Sequence, residues 1–347
     1  DALLVGSGED LDLQTLKVVD QVSGRQLGVR ADMTAQAVRV DAHSVITDGV
    51  QRLCYAGPVV FANPVSNQTS RVQLKAGAEI FGAPSIEADA EVVGLMLESL
   101  AVAEVKKPVL LLGHMGIYLG LVEQLLAEGR LDEARQGELF GCIQRKGASD
   151  IRNLLDDSPT SAMLIALPDL MGDSSVLALA GKVLHRASES VRVALDELKD
   201  LAAMIKTRYP QVDLRIDVSE LSGYGYHNGP VFAVYHPQHG SALAQGGRYD
   251  GVGEIFGRGR AATGFDLNLK RLMDSSLQAR GAYFAPYTPD ASQPELTGLV
   301  SRLRDEGHRV IVAVAQNEQP PHDCIGVLVH GQDGWQVQSN SAAPNEK

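Results

Sequence analysis

Short strand-like runs open the chain, helical spacing takes over through its middle, and strand-like runs return before Gly246. Residues 15–20 and 26–30 flank a Ser23-Gly24 turn, the pattern of a hairpin, and Thr34 stands where an N-cap would open a helix over 35–43. Strands are expected over 52–62 and 72–81, and the polar 63–70 loop between them is a candidate ligand cover. Over 88–104, Ala90, Val93, Leu97 and Leu100 share one helical face, and 108–112 is a short buried strand. From 117 to 208 the pattern is of helices broken by Gly and Pro. The clearest lie over 118–131 and 188–208, where Val191, Leu195, Leu198, Leu201 and Ile205 recur at helical spacing.

Strands are expected again over 212–218, 231–235 and just before Gly246, and 264–275 reads as a helix entered from a glycine-rich loop. Beyond Gly281 the pattern predicts a helix over 294–306 and strands over 309–315 and 324–329, with 339–347 as a disordered tail. The expected organisation is a sheet-based domain in two parts, 1–116 and 209–278, interrupted by a mainly helical insertion, 117–208. A small α/β unit occupies 279–347. The opening residues, Asp1 to Val5, read as part of an element already under way, so the sequence is expected to start inside a domain.

Composition narrows the function classes. The chain has 347 residues, 44% hydrophobic and 21% charged, enough for one large α/β domain and smaller units. No run approaches the roughly 18 to 20 apolar residues needed to span a bilayer. A net charge of −12 and a pI near 5.2 disfavour a dedicated polyanion binder, which depends on Lys and Arg at phosphates. Cys54, Cys142 and Cys324 lack metal or redox spacing, and with no signal-peptide pattern this points to the cytoplasm.

The candidate chemistry lies in four segments. They are Arg30-Ala31-Asp32-Met33-Thr34, Tyr55-Ala56-Gly57-Pro58, Gly77-Ala78-Glu79-Ile80-Phe81-Gly82, and 223–234 leading into Gly246-Gly247-Arg248-Tyr249-Asp250-Gly251. The run Ala262-Thr263-Gly264-Phe265-Asp266-Leu267-Asn268-Leu269-Lys270-Arg271-Leu272 follows. Each alone also reads as a turn or cap. In this order, over about residues 1–275, they resemble the catalytic domain of histidyl-tRNA synthetase, with the last two runs in place of its third motif.

The resemblance implies an α+β fold: a class II aminoacyl-tRNA synthetase-like antiparallel sheet flanked by helices, with a helical insertion and a small C-terminal α/β unit. It also implies that Asp32 and Thr34 grip a substrate amino group and that Glu79 and Tyr249 meet the ligand from the sheet floor. Tyr224, Tyr226 and His227 would line its imidazole end. Carboxylates beside phenols suit an imidazole, whose two nitrogens donate or accept hydrogen bonds.

Adenylate chemistry needs more, because ATP brings several negative charges that positioned arginines and magnesium must meet. The synthetase's second-motif arginine falls at Phe61, its acidic neighbour at Asn63, and no Lys or Arg lies between Arg52 and Arg71. The arginine before the Gly-Leu-Asp-Tyr-Tyr type segment falls at Ser222, with no Lys or Arg from Ile216 to Gly247. Arg271 keeps the third-motif place, with a structural or ion-pairing role open to it.

The unit after Gly281 is also much shorter than a synthetase anticodon-binding domain. Together with Leu111-Leu112-Gly113-His114-Met115-Gly116 and Ala31-Asp32-Met33-Thr34-Ala35-Gln36, the pattern resembles the synthetase paralogues that are regulatory subunits of ATP phosphoribosyltransferase. That resemblance implies a non-catalytic, allosteric protein at the first step of histidine biosynthesis, activating a short-form catalytic subunit and mediating feedback inhibition by histidine. It further implies a homodimer within a hetero-octamer, with no cofactor, metal, tRNA or membrane.

The inhibitory histidine has two candidate locations, the synthetase-like pocket or a subunit interface, and the motifs support the first. The alternative functions are a divergent histidyl-tRNA synthetase and a histidine-binding module for another partner. His236 and His239 read as a surface hairpin more readily than a metal pair. Gly257-Arg258-Gly259-Arg260 reads as a mobile basic loop more readily than a phosphate cradle, and 189–200 as an acidic helical face, solvated or partner-bound.

Overall fold

The computed structural model describes residues 13–43, 48–63, 70–221, 226–237, 240–276, 282–289, 293–321, 324–332 and 334–339. It divides into two units, residues 1–276 and 277–347. In the first unit β1 (Leu16–Val19) pairs with β2 (Gln26–Val29), Leu16 opposite Val29. Asp20 accepts from the Val22 and Ser23 amides in the turn, and Gly24 there has φ +68, a conformation glycine takes without strain. Helix α1 (Thr34–His43) begins one residue earlier than expected. The Gln36 and Ala37 amides donate to the Met33 carbonyl, so Thr34 is not the cap and its hydroxyl is free to turn elsewhere.

Alternation along β3 (Gln51–Val60) and β4 (Val72–Phe81) builds the first two strands of an eight-stranded sheet. Helix α2 (Ile86–Val102), β5 (Val109–His114) and α3 (Met115–Ala127) follow, and the His114 imidazole accepts from the Gly116 amide to cap α3. The run to residue 208 holds α4 (Glu133–Gln144), α5 (Ala148–Leu154), α6 (Pro159–Ala166), the two-residue β6 (Met171–Gly172), α7 (Val176–Val183) and α8 (Glu189–Arg208). Apolar faces of these helices share one core with the sheet: Val92 and Met96, Leu110 and Leu112, Leu121 and Leu125, Leu195 and Leu198 belong to a single cluster. Each such side chain contributes about 1.5–3 kcal/mol on burial.

Strands β7 (Asp213–Asp217), β8 (Pro230–Tyr235), β9 (Ala244–Arg248) and β10 (Ala262–Asn268) complete the sheet in the order β3-β4-β10-β9-β8-β5-β7-β6. It is antiparallel except at β5 and β7, which run parallel with Val109 opposite Asp213. The expectation of an antiparallel sheet is corrected at that pair. The helices between β5 and β7 form the crossover that a parallel pair requires.

A second correction concerns 264–275. Only α9 (Leu269–Ser276) is helical, because Ala262–Asn268 is a strand paired on both sides, to β4 and β9. Phe265, Leu269 and Leu272 are spaced for a helix, but Phe265 and Leu267 also alternate, and two hydrogen-bonding neighbours decide for the strand.

The second unit contains β11 (Ala282–Ala285), α10 (Gln293–Asp305), β12 (Val310–Val312), β13 (Cys324–Gly331) and β14 (Gly334–Ser339), in the sheet order β12-β11-β13-β14. The helix and two of these strands match the sequence pattern, whereas β11 and β14 do not appear in it. Ser339, expected to begin a tail, ends β14, while 340–347 and Asp1 to Val5 lie outside the described residues. Among the described residues no helix is long and apolar enough to cross a membrane.

Candidate functional site

The floor of the site is formed where β4, β10 and β9 lie side by side. Glu79 on β4 stands opposite Gly264 on β10, which stands opposite Gly247 on β9. A Cβ on Gly264 would overlap the Glu79 carboxylate, so the glycine leaves room for that side chain to lie across the sheet. Glu79 is only 1% exposed. Its Oε1 accepts from Thr34 Oγ1 at 2.9 Å and from the Tyr55 hydroxyl at 3.0 Å, and its Oε2 accepts from the Tyr249 hydroxyl at 2.6 Å.

Burial pushes the Glu79 carboxyl up to about 8, against the pull of those three hydroxyls. Burial likewise raises the phenols of Tyr55, Tyr226 and Tyr249, with Glu79 adding to it, so all three stay protonated at neutral pH. Tyr226 stacks on Tyr249 with centroids 4.9 Å apart, and His227 meets the edge of Tyr226 at 5.2 Å. The Tyr226 hydroxyl is buried with no hydrogen bond among the described residues; Thr34 is near it but outside bonding geometry.

Apart from Tyr55, these groups face a cavity of about 600 Å³. Asp32, Thr34, Glu79, Tyr226, His227 and Tyr249 all line it, so the structure brings the described candidates into one place. Ser222 and Tyr224 lie outside the described residues, as do most of the 63–70 loop and His239. Asp32 is half-buried and accepts from the Met33 amide at 2.7 Å, which fixes its carboxylate at the start of α1.

Phe61, Gln73, Lys75, Asp266, Asn268 and Arg271 also line the cavity. Lys75 Nζ lies 2.9 Å from Asp266 Oδ2, Asn268 donates to Gln73 at 2.9 Å, and Arg271 donates to the Ala242 carbonyl at 2.9 Å. Lys75 lies outside the motif segments, whereas Tyr55 and Asp266 stand inside them with no role assigned; Lys75 and Asp266 line the cavity, and Tyr55 is tied to it through Glu79. The signal for Lys75 is the period of two along β4, which turns residues 73, 75, 77 and 79 to one side.

Around the cavity, Arg248 is held by the Asp89 carboxylate and by the Ala83 and Ser85 carbonyls, which fixes the strand end that carries Tyr249. The 257–260 loop is tied down rather than mobile: Arg258 donates to the Asp41 carbonyl and Arg260 to its carboxylate. Glu197 on the acidic face of α8 accepts from His114 Nε2 at 2.9 Å, so that face is partly engaged inside the fold. Among the described residues no group of three His, Cys, Asp or Glu could hold a metal ion. A second cavity of about 610 Å³, lined by Glu87, Ala90, Glu91, Met204, Ile205 and Arg208, is an open groove without converging buried polar groups.

The family profile described as histidyl-tRNA synthetase matches residues 1–272, and the profile of the ATP phosphoribosyltransferase subunit HisZ C-terminal domain matches residues 280–338. An ATP phosphoribosyltransferase regulatory subunit of Ectopseudomonas mendocina is 42% identical over 343 residues, covering 97% of this chain and 86% of its own. One from Thioalkalivibrio sulfidiphilus is 45% identical over 323 residues, covering 91% and 80%. The chain belongs to the ATP phosphoribosyltransferase regulatory subunit family.

The fold agrees with that family. A Bacillus halodurans structure described as an ATP phosphoribosyltransferase regulatory subunit/histidyl-tRNA synthetase superposes with a TM-score of 0.67 at 24% identity, covering 87% of this chain and 78% of its own. A histidyl-tRNA synthetase from Nostoc gives 0.65 at 15% identity, covering 96% and 82%. This chain therefore shares the class II sheet with the synthetase.

The buried carboxyl of this regulatory subunit sets a pH dependence. Glu79 titrates near 8 in the fold against an ordinary value of 4.5, so between those values the native state binds more protons than the unfolded chain. Stability then falls as pH rises through that window, by an amount on the order of a few kcal/mol. Urea denaturation from pH 5 to 8.5 is expected to show this decline, and Glu79→Gln is expected to flatten it.

Proposed function

We propose that this protein regulates a catalytic ATP phosphoribosyltransferase subunit and carries the feedback signal by binding histidine in the cavity on the sheet floor. The observation that carries the reading is the Glu79 centre: a buried carboxyl group ringed by hydroxyls, with the Tyr226 hydroxyl left without a hydrogen-bond partner beside it among the described residues. Such a centre offers an imidazole both an acceptor and donors. Asp32 and Thr34 take the ammonium group in this reading; Glu79, Tyr226, His227 and Tyr249, with Tyr224 by resemblance, take the ring. Phe61 and Ser222 stand in the places of the synthetase arginines, so histidine is held without being activated, and Arg271 braces the wall through the Ala242 carbonyl.

Regulation follows from differential binding. Histidine favours one state of this subunit, the activated catalytic partner favours another, and linkage makes the two effects reciprocal. A coupling of about 1–3 kcal/mol, or roughly 5- to 150-fold, is the usual scale. A homodimer within a hetero-octamer with a short-form catalytic subunit, in the cytoplasm, completes the proposal.

The test is phosphoribosyl-ATP formation by a purified short-form catalytic subunit, with and without this protein, across a histidine titration. The expected result is activation that histidine reverses, with histidine-dependent exchange of pyrophosphate into ATP at background. No change in rate or in histidine sensitivity would overturn the assignment.

A further inference from the structure

A free amino acid brings a carboxylate as well as an ammonium group, and a buried carboxylate without a cation costs several kcal/mol. The Glu79 centre and Asp32 account for the ring and the ammonium, and the arginine place at Phe61 offers no charge. Among the described residues lining the cavity, the cations are Lys75 and Arg271. Arg271 is turned to the backbone at Ala242. Lys75 is on the same strand face as Glu79, its side chain is only 11% exposed, and its ammonium lies 5.9 Å from the centre of the Phe61 ring. Among the described residues Asp266 is its one hydrogen-bond partner. An ammonium group has three N–H donors, so donors remain for a ligand.

Resting on the histidine-pocket reading, we propose that Lys75 is the carboxylate-recognising residue of this site, held in place by Asp266. The pair also matches the ligand's own polarity: the cation meets the carboxylate, and the neighbouring acids Asp266 and Asp32 face the ammonium. The consequence is selectivity for the free amino acid. L-Histidine fits, whereas histidinol, histamine and histidine methyl ester present no anion to Lys75. The signal detected is the unmodified end product rather than its esters or its decarboxylated or reduced forms.

The test is calorimetric titration of the full chain with L-histidine, L-histidinol and histidine methyl ester, in the wild type, Lys75→Met and Lys75→Arg. A charged hydrogen bond of about 1.5–3 kcal/mol corresponds to roughly 10- to 150-fold, so the wild type is expected to prefer histidine by that factor. Lys75→Met is expected to erase the preference while leaving histidinol affinity within about 3-fold, and Lys75→Arg to restore much of it. Glu79→Gln is the contrast: it weakens all three ligands together and keeps their ratio.

Should Lys75→Met fail to fold because Asp266 loses its partner, the Lys75→Met/Asp266→Asn pair removes both charges, and the same loss of preference is expected. A preference for histidine that persists in these variants, or an equal loss for all ligands, overturns the role of Lys75 while leaving the pocket reading intact. Binding of none of the ligands by the wild type overturns both.

Discussion

Replacing Arg248 by methionine is expected to lower the unfolding free energy of the first unit by about 3–5 kcal/mol, the scale for breaking a buried ion pair by removing one member. The Arg248 and Asp89 side chains are 7% and 0% exposed, with Nη2 2.5 Å and Nε 3.1 Å from one Asp89 oxygen. Burial already pushes the Asp89 carboxyl up, and the Arg248 charge is the main force opposing it. Without the arginine, Asp89 titrates higher still, so between its unfolded and folded values the mutant loses stability as pH rises. The deficit is therefore expected to be larger at pH 8 than at pH 5. Adding Asp89→Asn should recover part of it, since the uncompensated charge is then gone. Denaturation followed by far-UV circular dichroism reads this out. The single tryptophan, Trp335, belongs to the second unit and reports on that one. An unchanged midpoint in Arg248→Met would refute the structural role of the pair.

Gly264→Ala is expected to cost roughly 10- to 100-fold in histidine affinity, together with about 1–3 kcal/mol of stability from overpacking. The added Cβ would overlap the Glu79 carboxylate and lie 2.8 Å from the Ala78 carbonyl. β10 cannot move aside, because it is hydrogen-bonded to β4 on one side and β9 on the other. Glu79 must give way instead, which breaks its bond from Tyr249. Calorimetric titration with histidine checks the affinity, and wild-type affinity in the alanine variant would refute the placement of the ligand against Glu79.

The site was legible where its chemistry sits in runs with their own signature. Asp32 and Thr34 are read from one short segment, Glu79 from a second, and Tyr226, His227 and Tyr249 from the approach to the Gly246 run, and the fold gathers them around one cavity. What was not legible depends on partners far away in the chain. Lys75 gains its place from Asp266, 191 residues later, and Tyr55 gains its place from the register that sets it beside Gly77 and within 3.0 Å of Glu79. Thr34 shows the same limit in reverse: beside a helix start it reads as a cap, yet its hydroxyl serves Glu79, 45 residues on.

Legible in the sequence alone were the residue types in their order: acids and phenols in synthetase-like runs, a stretch without Lys or Arg between Arg52 and Arg71, and the periodicities of most helices and strands. Periodicity is local, so it reads one element at a time, and it could not choose between helix and strand for 264–268. Only the tertiary structure decided that choice, the parallel pairing of β5 with β7, the burial of Arg248 against Asp89 and the presence of Lys75 in the cavity. Each of these depends on strand pairing or packing between segments distant in sequence, and the energy of such contacts belongs to the pair rather than to either residue's neighbours along the chain.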